Sequence, residues 1–166
     1  NFFLAQNSID EVRFADDTTW TVADIWQRLI GSVPSDQSQG LHGTLGTDSI
    51  DGQGGNDTVR GYAGDDNLHG AAGDDLVYGH GGNDTLAGGQ GNDQLFGGQG
   101  NDTFVFQRGD GRDTVFDFQS GAGSDDVIQL DAAAFADFNA LMQSGAVSNN
   151  QIGTEIEYAD GSSITL

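Results

Sequence analysis

Cysteine is absent from the 166-residue chain, and so is lysine. Without cysteine there are no disulfides and no thiolate ligands for zinc or iron. Proline occurs once, at Pro34. No apolar run approaches the ~20 residues that span a bilayer. No basic segment followed by an apolar stretch opens the chain, so it reads as an excerpt or its export signal lies elsewhere. Positive charge is scarce: five arginines face 26 acidic side chains, for a formal net charge of -21. A compact fold with that charge repels itself unless something neutralises it. Nucleic acid and anionic membranes are therefore poor partners, and divalent cations are good ones.

Catalytic signatures are missing as well. The sequence contains no G-x-S-x-G, no H-E-x-x-H and no cysteine nucleophile. Glu155 and Glu157 alternate on an expected strand and read as solvated. His42, His69 and His80 are scattered and form no transition-metal motif. The chain reads as a binding module and not an enzyme.

What is abundant is glycine. There are 27, where average usage of ~7% would give roughly twelve. From Gly43 they fall into seven nine-residue units without a gap: GTLGTDSID, GQGGNDTVR, GYAGDDNLH, GAAGDDLVY, GHGGNDTLA, GGQGNDQLF and GGQGNDTFV. Position 1 is always glycine. Position 4 is too: Gly46, Gly55, Gly64, Gly73, Gly82, Gly91 and Gly100. Position 6 is always aspartate: Asp48, Asp57, Asp66, Asp75, Asp84, Asp93 and Asp102. Position 8 is always large and apolar: Ile50, Val59, Leu68, Val77, Leu86, Leu95 and Phe104. Position 5 varies among Thr47, Asn56, Asp65, Asp74, Asn83, Asn92 and Asn101, and its acids read as solvated or as outer helpers.

Such a period predicts a solenoid. Three residues around position 8 form a short strand, with position 8 facing in and positions 7 and 9 facing out. The other six form a turn that two glycines make possible. Two units complete one coil, so odd units build one parallel sheet and even units the other. The core is thin. One apolar side chain per nine residues cannot offset roughly 1–2 kcal/mol of backbone entropy per residue. The turns must contribute, and each holds a carboxylate.

The units resemble the G-G-x-G-x-D-x-U-x repeat of the RTX, or hemolysin-type calcium-binding, family. The resemblance implies an all-β parallel β-roll with small α/β caps, and it implies calcium. In that family each ion lies between stacked turns, held by two position-6 aspartates and by carbonyls of the glycine loops. Here the pairs would be Asp48 with Asp66, Asp57 with Asp75, Asp66 with Asp84, Asp75 with Asp93, and Asp84 with Asp102, or about five ions. A sixth would join Asp93 to Asp113 in the segment RGDGRD, where the register slips by two residues. The family further implies a secreted or cell-surface bacterial protein, folding on extracellular calcium and exported by type I secretion machinery as part of a larger parent. Polysaccharide or surface binding, as in the repeat modules of alginate epimerases, is the other reading, with Arg60, Tyr78 and Phe96 as its candidates.

Three segments are expected: an N-terminal flank (1–40), the roll (41–113) and a C-terminal cap (114–166). In the first, alternation at Val12 and Phe14 precedes a helix expected from Thr21 to Ile30, then a polar linker over 32–40; this flank resembles the hemolysin-type calcium-binding-related segment. The segment FVFQRGDGRDTVFDF resembles those that close RTX rolls. In the last segment, Val127, Ile128 and Leu130 suggest a strand. A helix is expected over 132–144, burying Phe135, Phe138, Leu141 and Met142. Packed on the even sheet near Phe96, it would cover a patch formed by Leu76, Tyr78 and Phe96. EVRFADDTTW at 11–20 aligns with EIEYADGSSI at 155–164, and the second is a hairpin with an Asp-Gly turn.

Overall fold

The sequence divides by contact into two units, Asn1–Pro34 and Ser35–Leu166. In the computed structural model of the chain the described residues are 11–13, 19–21, 37–120, 125–133, 141, 144, 147–149 and 153–166. The first unit shows a hairpin of β1 (Glu11–Arg13) and β2 (Thr19–Thr21), with Val12 opposite Trp20. The expected helix from Thr21 to Ile30 falls outside the described residues, apart from Thr21 itself, which ends β2.

The second unit is a parallel β-solenoid. Its rungs are β3 (Gly40–His42), β4 (Ser49–Asp51), β5 (Thr58–Ala63), β6 (Asn67–Ala72), β7 (Leu76–Gly81), β8 (Thr85–Gln90), β9 (Gln94–Gln99), β10 (Thr103–Phe106), β11 (Arg112–Val115) and β12 (Val127–Leu130). Strands β4, β6, β8, β10 and β12 form one five-stranded sheet. Strands β3, β5, β7, β9 and β11 belong to the other. Odd and even units thus separate into two sheets, as the period requires. That second sheet continues into β15 (Ser163–Thr165), parallel to β11, then β14 (Thr154–Glu157) and β13 (Val147–Asn149), both antiparallel.

Position 8 is the core. Val59, Leu68, Val77, Leu86, Leu95 and Phe104 are wholly buried. Identical positions meet across each parallel pair, as Val59 meets Val77 and Leu68 meets Leu86. The register extends the core beyond the seven units. Leu41 pairs with Val59 and is buried, so residues just before Gly43 already form a rung. The expected linker over 32–40 therefore gives way by Gln39, whose carbonyl accepts the Thr58 amide at 2.8 Å. Val115, paired with Leu95, and Ile128, paired with Phe104, continue the stack.

The strands are longer than expected. From β5 to β9 each has six residues, running through position 3 of the next unit. Pairing resumes beyond position 1, with Tyr62 opposite His80 and Ala63 opposite Gly81. The turn proper shrinks to positions 4–6. The reason is that position 2 accepts a left-handed backbone even without glycine: Gln53, Tyr62, Ala71 and His80 have φ of 70, 80, 84 and 74°.

Candidate metal sites

Each turn presents its position-6 aspartate inward. Asp57, Asp66, Asp75, Asp84, Asp93 and Asp102 are no more than 3% exposed. Their Oδ1 atoms accept amide hydrogen bonds from the turn one coil earlier. On the even edge, Gln39 donates to Asp57, Asp57 to Asp75 and Asp75 to Asp93, at 2.7–2.8 Å. On the odd edge, Asp48 donates to Asp66, Asp66 to Asp84 and Asp84 to Asp102, at 2.8–2.9 Å. Every one of these steps spans eighteen residues.

The second oxygen behaves differently. The Oδ2 atoms of Asp57, Asp66, Asp75, Asp84, Asp93 and Asp102 are buried and have no hydrogen-bond partner. A buried carboxylate oxygen without a partner costs several kcal/mol unless a cation meets it. The position-1 glycines make room for it. A Cβ on Gly52 would lie 2.6 Å from the Asp57 Oδ2, and one on Gly61, Gly70, Gly79, Gly88 or Gly97 would strike the aspartate of its own unit. The same Cβ on Gly43 would lie 2.5 Å from the Gly61 carbonyl oxygen and 2.7 Å from the Asp48 Oδ2. Position-1 carbonyls of one coil thus share the space of the carboxylate one coil before.

Burial moves these acids upward. It raises Asp93 to about 8, Asp113 to about 7, and Asp75 and Asp84 to about 6. Asp57, Asp66 and Asp102 are raised for the same reason. The amide bond from the preceding turn opposes the shift, and neighbouring carboxylates add to it. The ionised ladder is therefore strained by its own charge and its dry surroundings, and a cation between the turns relieves both.

The donor set selects among cations. Among the described residues, no three His, Cys, Asp or Glu side chains converge. A cation held here draws on paired carboxylates and backbone carbonyls. That all-oxygen set suits calcium, which takes six to eight hard ligands in flexible geometry. The position-4 glycines stack likewise: Gly64 lies over Gly46 and Thr47, and Gly73, Gly82, Gly91 and Gly100 each lie over the position-4 carbonyl two units earlier. Gly55, by contrast, lies over the Gln37 carbonyl.

Two carboxylates end the ladders. The Asp113 Oδ1 accepts the Asp93 amide at 3.0 Å, and the Asp126 Oδ1 accepts the Asp102 amide at 3.0 Å. Asp113 stands among the sequence candidates. Asp126 does not, because 24 residues separate it from Asp102. Its nearest signal is the strand that follows it, Val127–Leu130, which takes the place of a position-8 rung.

A second ladder runs outside the first at position 5. The Asp65 Oδ1 accepts the Asn83 amide at 2.7 Å, the Asp74 Oδ1 accepts that of Asn92 at 2.9 Å, and the Asn83 Oδ1 accepts that of Asn101 at 2.9 Å. The donor here is the later turn, opposite to position 6. The signal was in the sequence: every position-5 residue is Asn, Asp or Thr, a short side chain whose oxygen can bond a nearby backbone amide. Asp65 and Asp74 thus zip turns together and stay exposed.

On the outer face of the even sheet the aromatic residues stack. Ring centroids lie 4.8 Å apart for Tyr78 with Phe96 and for Phe96 with Phe116, with planes within 19°. Tyr62 stacks on His42 and His80, and Arg60 lies 5.4 Å over Tyr78. The apolar patch expected there is half-buried by its own members and by Phe116. Phe135 and Phe138, expected to cover it, lie outside the described residues, and Leu141 is buried.

A family model of the RTX calcium-binding nonapeptide repeat, four copies long, matches residues 42–77, 70–104 and 78–115. This chain belongs to that family, through a parallel β-roll built from those repeats. A search of curated proteins returns no match. Among solved structures, the solution structure of the AlgE6R3 subunit from the Azotobacter vinelandii mannuronan C5-epimerase is similar. It is 30% identical, with 81% of this chain and 74% of that chain covered and a TM-score of 0.40. No helix among the described residues is long and apolar enough to cross a membrane.

Proposed function

We propose that the roll is a calcium-folded, non-catalytic module of an extracellular protein. The observation that carries this reading is the row of six buried Oδ2 atoms without partners. Charged, they oppose the fold, and cation-bound, they hold successive turns together. Calcium would sit between Asp48 and Asp66, Asp57 and Asp75, Asp66 and Asp84, Asp75 and Asp93, Asp84 and Asp102, and Asp93 and Asp113. Asp102 and Asp126 offer one further pair. Turn carbonyls complete each shell.

Binding free energy is then folding free energy. Extracellular calcium modules commonly bind at ~10⁻⁴–10⁻³ M, which leaves the module unfolded at cytosolic calcium and folded outside. An acidic, glycine-rich chain suits that unfolded state, and passage through type I secretion machinery as part of a larger chain fits it. Calorimetric calcium titration of the 166-residue chain tests the reading. Several sites at submillimolar to millimolar affinity, lost on replacing position-6 aspartates, are expected. No heat above dilution would reject it.

The aromatic column does not favour a sugar-stacking surface. Stacking on a glycan needs open ring faces, and Phe96 is stacked between Tyr78 and Phe116, while Tyr78 also stacks on His80 and lies under Arg60.

A further inference from the structure

Two hairpins of this chain share one pairing register. In the first, Glu11 pairs with Thr21, Val12 with Trp20 and Arg13 with Thr19. In the second, Glu155 pairs with Thr165, Ile156 with Ile164 and Glu157 with Ser163. Aligned, EVRFADDTTWT at 11–21 and EIEYADGSSIT at 155–165 put each pair on its counterpart, with loops of equal length. The turn chemistry corresponds as well. The Asp160 Oδ1 accepts hydrogen bonds from the Ser162 amide at 3.0 Å and hydroxyl at 2.6 Å. Asp16 and Thr18 stand at those places in the first hairpin.

The second hairpin has a seat. Along one edge β15 runs parallel to β11, with Arg112 opposite Ser163, Asp113 opposite Ile164 and Thr114 opposite Thr165. The Ser163 amide donates to the Gly111 carbonyl at 2.7 Å. Ile156, Tyr158 and Ile164 are buried, and the Tyr158 hydroxyl donates to the Phe106 carbonyl at 3.4 Å. The hairpin thereby covers the last even rung, which would otherwise offer an open row of N–H and C=O groups. In the first hairpin β2 pairs with β1 and, among the described residues, with no other strand.

We propose that the edge of β2, Thr19–Thr21, that faces away from β1 is a docking edge for the last even rung of another calcium β-roll. The roll is one placed N-terminal to this hairpin on the same polypeptide, as the roll here precedes Glu155–Thr165. Trp20 takes the place of Ile164 against the end of that roll's core. Each such hairpin ends one roll, so rolls and hairpins alternate along the polypeptide.

The test grafts one hairpin onto the seat of the other. In the 166-residue chain, 155–165 is replaced by the sequence of 11–21, once unchanged and once with Trp20→Ile to match the smaller side chain. Amide exchange at Arg112–Val115 is read in saturating calcium. An equal-length Gly-Ser linker in the same place should cost roughly tenfold or more in protection there. At least one graft is expected to keep protection within about threefold of the parent. Both grafts exchanging like the linker chain would overturn the proposal. Trp20→Pro in the otherwise unchanged chain supplies a second reading. Exchange at Gly40–His42 should not change; a loss of protection there would place β2 on its own roll's first rung and overturn the proposal equally.

Discussion

The Oδ1 of Asp113 accepts the backbone amide of Asp93 across twenty residues, where the step from Asp75 to Asp93 on the same edge takes eighteen. The ladder thus absorbs an insertion without losing its carboxylate. Asp110, three residues before Asp113, caps the extra turn by accepting the Gln107 amide at 2.6 Å. If the stack conserves the carboxylate and not the spacing, Asp113→Ala should raise the calcium midpoint of folding about as much as a change inside the regular repeats. Circular dichroism against calcium checks this, and an unchanged midpoint would mean that the bond to Asp93 carries no site.

Asp75 and Asp48 should differ. Asp75 is 2% exposed, its Oδ2 has no partner, and its neighbours along the edge are Asp57 and Asp93. Asp48 is half-buried and its Oδ2 already accepts the Thr44 amide at 2.6 Å. In stacked repeats, loss at the centre breaks two interfaces and loss at an end breaks one. Asp75→Ala should therefore raise the calcium midpoint several-fold more than Asp48→Ala. Equal midpoints would argue against ions shared between turns.

Much of this was legible in the residues. Four fixed positions in nine gave the two sheets, the position-8 core and the row of position-6 carboxylates. The rung at Leu41 was not legible, since Gln37, Ser38 and Gln39 replace the glycine and aspartate of a normal turn. Yet the Gln39 amide still bonds Asp57 and the Ser38 hydroxyl still accepts the Asn56 amide at 3.2 Å. Backbone geometry holds that rung where side-chain identity has gone. Asp126 was hidden by six extra residues, because a period cannot be followed through a loop. The hairpin at 155–165 was legible from its Asp-Gly turn; its seat on β11 was not, because parallel pairing leaves no local signal.

Glycine at position 4 gives a prediction of sign. Gly82 has φ of 137°, and a Cβ there would strike the Gly64 carbonyl. Gly82→Ala should cost about 1–3 kcal/mol at saturating calcium, from backbone strain. Gln53 has φ of 70° on a side chain that stays exposed. Gln53→Gly should be neutral or stabilising, by up to about 1 kcal/mol, since strain relief outweighs the entropy of the freer chain. Urea unfolding of both variants measures the two signs, and a stabilising Gly82→Ala would contradict the stacking.

Without calcium, pH should act in the opposite sense to most proteins. Asp75, Asp84, Asp93 and Asp113 are raised from 3.8, to about 6, 6, 8 and 7. The folded state then binds more protons than the unfolded one between these limits. Stability of the calcium-free roll should be fully present below about pH 4 and fall as pH rises through 6 to 8. Calcium needs the ionised form, so its apparent affinity should fall on acidification through the same window. Thermal melts in chelator at pH 4 and pH 8 check the first statement. Greater stability at pH 8 would contradict it.

The most direct test is far-ultraviolet circular dichroism of the whole chain, first in excess chelator and then along a calcium titration at neutral pH. The position-8 core is one side chain per nine residues, and the six buried Oδ2 atoms oppose folding until a cation meets them. Mostly coil is expected in chelator, then a cooperative rise of β signal completed by roughly millimolar calcium. Magnesium should replace calcium poorly, because it demands tight octahedral geometry and keeps its waters. Strong β signal persisting in chelator at neutral pH would contradict calcium-driven folding.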